Sequence, residues 1–283
     1  EDLLLDVRLN ILDKFVDYFV IVESKFSHSG EAREPNFKLE KYKKYKEKIE
    51  NILLEENPSN LFQIEKDDPR RSEKIIINAN LREFFQRNAI IQGLSEAKDN
   101  DVILISDVDE IPNLENIDFN KITEYPYMFN QIFCCYKFNL FSKMRWHGSR
   151  MIKKKKLLTP QWLREIKDKN YPKWRVDTLF SKKKYSNIKF IEDGGWHFTC
   201  IKKPKEIHQK LLTFAHHQDY EDSKINLDEL EKKVLQKKVL YDHDKDKKNQ
   251  NKWSSDKILK KIDLKLLPEV ITNSKIKYKD WID

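Results

Sequence analysis

The sequence predicts an α/β fold built on a mainly parallel sheet, and three observations predict it. Tyr18-Phe19-Val20-Ile21-Val22 is a continuous apolar run ending in Glu23-Ser24, the pattern of a strand buried on both faces. A second such run, Asp101-Val102-Ile103-Leu104-Ile105-Ser106, leads into Asp107-Val108-Asp109-Glu110-Ile111-Pro112. Between the two lies a helical pattern over 80–98, and the order strand, helix, strand marks parallel sheets covered by helices.

The remaining elements follow in order. Leu4, Leu5, Leu9, Leu12 and Phe15 recur near helical spacing over 3–15. This abrupt helical opening implies residues upstream of Glu1. Ser27-His28-Ser29-Gly30 reads as a loop, and the Lys/Glu-rich stretch 38–53 as an exposed helix. In the helix over 80–98, Asn80 is the expected cap, while Phe84, Ile91 and Leu94 make the apolar face. Residues 125–142 mix aromatic and β-branched side chains and read as further strands. Residues 188–199 read as a strand interrupted by Gly194-Gly195. From 203 to 283 the pattern is helical, with a polar loop at 242–256. No repeat divides the chain, so 1–283 is expected to form one domain with a helical C-terminal part.

Composition narrows the function. Of 283 residues, 36% are charged, yet 12% are aromatic, which is too many for a disordered chain. The net charge of +8 is uneven: residues 143–189 hold 16 Lys/Arg against 3 Asp/Glu, a local excess of 13 that leaves the rest at −5. A uniformly basic nucleic-acid coat is therefore disfavoured, and one belt needs an explanation. Lysine outnumbers arginine 45 to 10, a skew that AT-rich coding also produces, so no lysine run is a site by itself. Cys134, Cys135 and Cys200 are too few for a disulfide framework, and no C-x-x-C spacing suggests zinc. A reducing compartment fits that usage. No apolar run reaches the roughly 20 residues that span a bilayer, and no signal-peptide pattern opens the sequence. The expected location is cytoplasmic, including the inner face of the membrane.

Three constellations bear chemistry. Asp107 and Asp109, one residue apart at a strand end, suit a hard divalent cation that also bridges to phosphate oxygens. The bland alternative is a capping Asp with a solvated neighbour in the turn before Pro112. Glu23 ends the first strand as the Asp-x-Asp ends the second, and ligands of such sheets bind beyond carboxyl ends. Gly194-Gly195-Trp196-His197 is the second: the glycines permit close approach, and His197 is placed to complete a cation site with Asp107 and Asp109. His216-His217 ranks lower, since neighbours on a helix diverge. Third, Arg82, Glu83, Gln86 and Arg87 share a helical face. Arg87 there offers a planar fork to phosphate, or simply pairs with Glu83.

Taken together these residues resemble a known family. Val20-Ile21-Val22-Glu23-Ser24 with His28-Ser29-Gly30 is followed by Arg82-Glu83-x-x-Gln86-Arg87-Asn88. Then come Ile103 to Pro112, Trp146-x-Gly148-x-Arg150 and Gly194-Gly195-Trp196-His197-Phe198-Thr199. In this order they resemble glycosyltransferase family 17, the β-1,4-mannosyl-glycoprotein β-1,4-N-acetylglucosaminyltransferase family. The likeness runs from Glu1 to Leu267-Pro268-Glu269. It implies a GT-A nucleotide-sugar-binding fold, a UDP-sugar donor (UDP-GlcNAc in the animal members), Mn²⁺ or Mg²⁺, and inversion at the anomeric carbon. It also places the family's first strand, ending near an Asn-Glu pair, mostly before Glu1. Animal members carry a membrane anchor and act in the Golgi; this chain is more similar to shorter bacterial or viral members.

On that reading Asp107, Asp109 and His197 hold the cation, Glu23 and Arg87 help to bind the donor, and Glu110 or Asp193 is the general base. Members of the family resembled have Asn where this chain has Asp193. The basic belt is expected to border the acceptor side of the cleft. It would draw in an acidic glycan, or a lipid-linked glycan at an anionic membrane. Two other classes stay open at this stage. A phosphohydrolase of the haloacid dehalogenase type also places Asp-x-Asp after a strand, but near the N-terminus. A nucleic-acid-binding protein would use the belt with its tryptophans, though none of the known binding motifs occurs.

Overall fold

In the computed structural model, which describes residues 1–248 and 250–283, the expected α/β character holds. Helix α1 (Asp2–Leu12) leads to strand β1 (Phe19–Ser24). The stretch expected to be one helix over 38–53 divides instead into a 3-10 helix, Leu39–Lys48, and strand β2 (Ile49–Leu54). Tyr42 leaves helical geometry at φ −118° and ψ 34°, and the apolar run after Ile49 pairs parallel with β1 over its whole length.

The next helix, α2 (Arg71–Asn88), starts nine residues before the expected cap, so Asn80 lies inside it. The start follows Pro69, where Asp68 accepts a bond from the Arg70 amide at 2.8 Å. A 3-10 turn, Ala89–Leu94, replaces the last part of the expected helix, and Gly93 there lies against Val20 of β1. Strand β3 (Val102–Ile105) occupies the second apolar run, and β4 (Glu110–Pro112) follows the acidic turn. Then come β5 (Tyr127–Phe129), β6 (Gln131–Cys135), β7 (Leu140–Trp146) and β8 (Arg150–Lys153). Beyond them lie α3 (Pro160–Glu165), α4 (Asp177–Phe180), β9 (Lys189–Ile191) and β10 (Gly195–Thr199). The C-terminal part carries α5 (Pro204–Thr213), α6 (His217–Ser223) and α7 (Leu227–Leu235), and α8 (His243–Lys247) falls within the stretch 242–256 expected to be a loop. A two-residue strand, β11 (Lys260–Lys261), precedes α9 (Glu269–Asn273) and α10 (Lys275–Tyr278).

The mainly parallel sheet does not hold: the sheets are mixed. β1 and β2 form a parallel pair, β11-β7-β6-β10-β4 a five-stranded sheet, and β3-β8-β5-β9 a four-stranded one. In the larger two sheets only β10 with β6 and β5 with β9 run parallel. Connection length explains the difference. Only residues 136–139 separate β6 from β7, far too few for the crossover that parallel neighbours need, so the chain returns antiparallel.

The Gly194-Gly195 pair marks a change of sheet rather than an interrupted strand. β9 belongs to one sheet and β10 to the other, and β5 passes to β6 in the same way at Asn130. The two crossings hold each other, Asn130 N–H donating to Ile191 O at 2.9 Å and Gly194 N–H to Asn130 O at 3.2 Å. A Cβ on Gly194 would stand 2.4 Å from the Asn130 nitrogen, so the backbones touch only because no side chain intervenes. Beneath both sheets lies α1. Its Leu4 and Val7 pack with Ile111, Cys134, Phe138 and Phe198, while Leu9 and Leu12 pack with Phe19, Phe129 and Met151. All three cysteines are buried and unpaired. No described helix is long and apolar enough to cross a membrane.

Candidate active site

The Asp107-Val108-Asp109 segment turns between β3 and β4, closed by the Glu110 amide donating to Asp107 O at 3.0 Å. Arg8 fixes this turn from below. Its guanidinium donates to Ser106 Oγ (2.6 Å), Glu110 O (2.5 Å) and Asp107 O (3.3 Å). Burial brings the Arg8 pKa down to about 10, against the pull of Glu110, Asp107 and Asp109. It therefore remains a cation beneath the acidic turn.

Glu110 is 1% exposed, and its carboxylate is fully engaged. Oε1 accepts from Trp146 Nε1 at 2.7 Å and from Arg164 Nη2 at 2.8 Å. Oε2 accepts from Arg164 Nη1 at 2.6 Å and from the Asp107 amide at 3.0 Å. Gly148 makes room for this knot, since a Cβ there would lie 1.9 Å from Glu110 Oε1. The residue expected as a general base is thus a buried strut with no lone pair open to an acceptor hydroxyl.

Asp107 points outward and is 44% exposed at the side chain. Its Oδ1 is 3.3 Å from Arg87 Nη2 and its Oδ2 is 3.0 Å from Arg164 Nη2. Burial would lift its pKa, but Arg164 and Arg87 more than offset that and hold it below the usual carboxylate range. Asp109 is deeper. Its Oδ2 is 3.4 Å from Lys210 Nζ and its Oδ1 is 3.6 Å from His197 Nε2. There too burial raises the pKa, and Lys210 with His197 outweighs it, so Asp109 is held well below the ordinary value. Two such acids stay ionised throughout the physiological range, which suits them to hold cations and unsuits them to take protons. In turn, the negative groups around Lys210, Asp109 first among them, together outweigh its burial and raise its pKa.

Arg87 bridges the parts, donating to Gln161 Oε1 at 2.5 Å and to Glu83 Oε1 at 2.6 Å. The Glu83–Arg87 pair expected as the bland alternative is real, and Arg87 reaches Asp107 as well. Glu83, Asp107, Asp109 and Glu110 therefore face Arg8, Arg87, Arg164 and Lys210, four carboxylates against four cations. Beside Arg164 opens a cleft of about 430 Å³, lined by Arg150, Glu165, Lys167, Asp168 and Lys183 among others.

An ionised Asp-x-Asp at a strand end, beside a basic cleft, suits the binding of phosphate-bearing ligands. The family model of glycosyltransferase family 17 matches residues 1–266. The chain belongs to glycosyltransferase family 17. No curated protein and no solved structure matches it.

Within this family-17 chain the other expected site residues fall into two groups. His197 is gathered in: it is buried between Trp146 (ring centroids 4.9 Å apart) and Phe133 (4.8 Å), facing Asp109. Glu23 and Asp193 are not. Both oxygens of Glu23 accept from backbone amides, Asn36 at 3.0 Å and Phe37 at 2.8 Å, so it ties down the loop after β1. Asp193 is exposed and precedes β10, whereas His197 lies further along that strand. Gly195 pairs with Pro112 there and His197 with Glu110, so Asp193 sits at the end away from the cluster. The belt also divides. Lys153 pairs with Val102 at the start of β3, Lys155 and Lys156 bind Glu124, and Arg150 and Arg164 serve as internal struts. Lys153–Lys156 thus lie at the end of β3 remote from Asp107, and the part of the belt that borders the cleft is Arg150, Arg164, Lys167 and Lys183.

Asp109 and His197 fit a divalent cation as a partial donor set. Asp109 Oδ1 and His197 Nε2, 3.6 Å apart, can share one ion, while Nδ1 on the other side of the ring is buried with no hydrogen-bond partner among the described residues and does not face Asp109. Asp107, the third expected ligand, instead directs its oxygens at arginines. No group of three His, Cys, Asp or Glu side chains converges among the described residues. Magnesium-type sites often complete their shell with substrate phosphates and water rather than protein. Sequence reasoning missed Arg8, Arg164 and Lys210. Arg164 was visible only as part of the belt, and nothing in their spacing ties these three to the acidic turn.

Proposed function

We propose that this chain is an inverting, cation-dependent hexosyltransferase. It would move a sugar from a UDP donor, UDP-GlcNAc in the first instance, to a hydroxyl of a glycan or lipid-linked glycan. The reading rests on one observation: the ionised Asp107–Asp109 pair at the carboxyl end of β3, ringed by Arg87, Arg164 and Lys210. Charge balance supports it. The carboxylates of the cluster are already paired with its cations, so an incoming diphosphate adds negative charge that a divalent cation would offset.

Lys210, beside Asp109, faces the leaving phosphate and stabilises the charge that grows there, while Arg87 stands between Asp107 and Glu83. Mn²⁺ or Mg²⁺ held by Asp109 and His197 would act, when bound, as a Lewis acid on the same oxygens. The acceptor oxygen bonds to the anomeric carbon from the opposite face, the carbon–phosphate-oxygen bond breaks, and the hydroxyl proton passes to a base. Glu83 fits that last role better than Glu110 or Asp193. It is only partly buried, its single side-chain bond is to Arg87, and one guanidinium separates it from Asp107.

The test is release of UDP from UDP-GlcNAc with and without Mn²⁺. Glu83→Gln is expected to keep UDP binding and lose turnover on the order of 100-fold. Unchanged turnover removes Glu83 from the base role, and absence of both UDP release and UDP binding with Mn²⁺ present overturns the transferase reading.

A further inference from the structure

The segment 172–184 does nothing for the cluster described above, yet it carries the most exposed apolar side chains of the cleft's surroundings. Trp174, Val176, Leu179 and Phe180 are 65–85% exposed within seven residues. Single exposed apolar residues are ordinary, but four together form a patch that marks an interaction surface. They are held outward by a firm base. Successive turns run from Arg175 N–H to Pro172 O (3.0 Å), Thr178 N–H to Arg175 O (3.1 Å) and Leu179 N–H to Val176 O (3.0 Å). Tyr171 is buried beneath, with Arg175, Lys169 and Lys184 over its ring.

The charges around this tip share one sign. Residues 167–184 hold seven Lys/Arg and two Asp. Asp177 is neutralised by Arg175 and Lys184, both at 2.8 Å or less, and Asp168 faces His147. Lys167, Lys169, Lys173 and Lys182 form no ion pair among the described residues and surround the apolar tip.

We infer that segment 172–184 docks the protein on an anionic lipid bilayer. Trp174, Leu179 and Phe180 enter the headgroup boundary, where Trp is favoured, and the four unpaired lysines meet the lipid phosphates. A second copy of this chain is the weaker occupant, because two such tips would bring like charges together. A nucleic acid would gain from the lysines and from stacking on Trp174 but nothing from Val176 and Leu179. Docking there sets the bilayer beside the cleft that Lys167, Lys183 and Arg164 line, and so favours an acceptor whose sugar is carried on a lipid. The docking itself rests on this segment and stands apart from the transfer reading.

Flotation with vesicles tests it, using phosphatidylcholine alone and an equal mixture with phosphatidylglycerol. The protein is expected to float only with the mixture, and less so when salt rises from about 0.1 M to about 1 M. The triple variant Trp174→Ser, Leu179→Ser, Phe180→Ser is expected to bind on the order of 100-fold more weakly, with its melting temperature and UDP binding unchanged. Three results overturn the inference: no binding to the mixture, equal binding by the triple variant, or a concentration-dependent dimer that the triple variant abolishes without any vesicle binding.

Discussion

At the scale of single residues, Glu110 and Asp107 divide two tasks that adjacency in the chain makes look alike. Glu110 is buried and accepts four bonds, two of them from Arg164, while Asp107 stands half in solvent between two arginines. Glu110→Gln removes the charge that compensates Arg164 inside the protein. Breaking one side of such a buried pair costs about 3–5 kcal/mol, and denaturant unfolding should read a loss of that size. A change under about 1 kcal/mol, the usual worth of an exposed pair, would contradict the strut role. The Asp-x-Asp itself was legible in the sequence, because a polar pair directly after a buried strand has few other places to go. The occupation of the Glu110 lone pairs was not, since Arg164 stands 54 residues away and reaches it only through the fold.

At the scale of elements, the short helix α8 brings His243 to the aromatic side chains that flank His197. Its His243 lies against Trp146, Phe133 and Tyr241, with ring centroids 5.5, 5.7 and 4.6 Å away. Burial lowers the His243 pKa to about 4, with His197 and Lys247 pushing the same way and Asp246 and Asp242 opposing. The unfolded chain therefore takes up a proton near pH 6.5 that the folded chain refuses until about pH 4. His243 stabilises the fold fully above about pH 6.5, and that contribution is lost as pH falls towards 4. The expected loss is about 3 kcal/mol, measured by urea unfolding across this range, and His243→Gln should flatten the slope. An identical slope in the variant would remove His243 from the account. This segment was expected to be a loop, because five residues rich in Asp and Lys carry almost no apolar periodicity. The same limit explains the Lys/Glu stretch before β2: charge spacing suggested a helix, and the parallel pairing with β1 decided otherwise.

At the scale of the whole molecule, short connections turned an expected parallel sheet into mixed ones, while the acidic turn stayed at the carboxyl end of β3. Apolar runs announced β1 and β3 because continuous apolar stretches leave a plain mark in sequence, although Val20–Val22 of β1 and Val102 and Leu104 of β3 are only partly buried. Partners across sheets leave none, so the change of sheet at Gly194 and the division of the basic belt emerged only in three dimensions. On the proposed function, the folded chain is a receptor for a nucleoside diphosphate. The most direct test is thermal unfolding with UDP and Mn²⁺, each alone and together, for the native chain and for Asp109→Ala. Ligand at about 100 times its Kd stabilises a folded state by about 2.7 kcal/mol, equivalent to a rise of roughly 5 °C for a chain of this size. The account predicts that rise with UDP and Mn²⁺ together in the native chain and its loss in Asp109→Ala; an unmoved melting temperature in the native chain, or an equal rise in the variant, would contradict it.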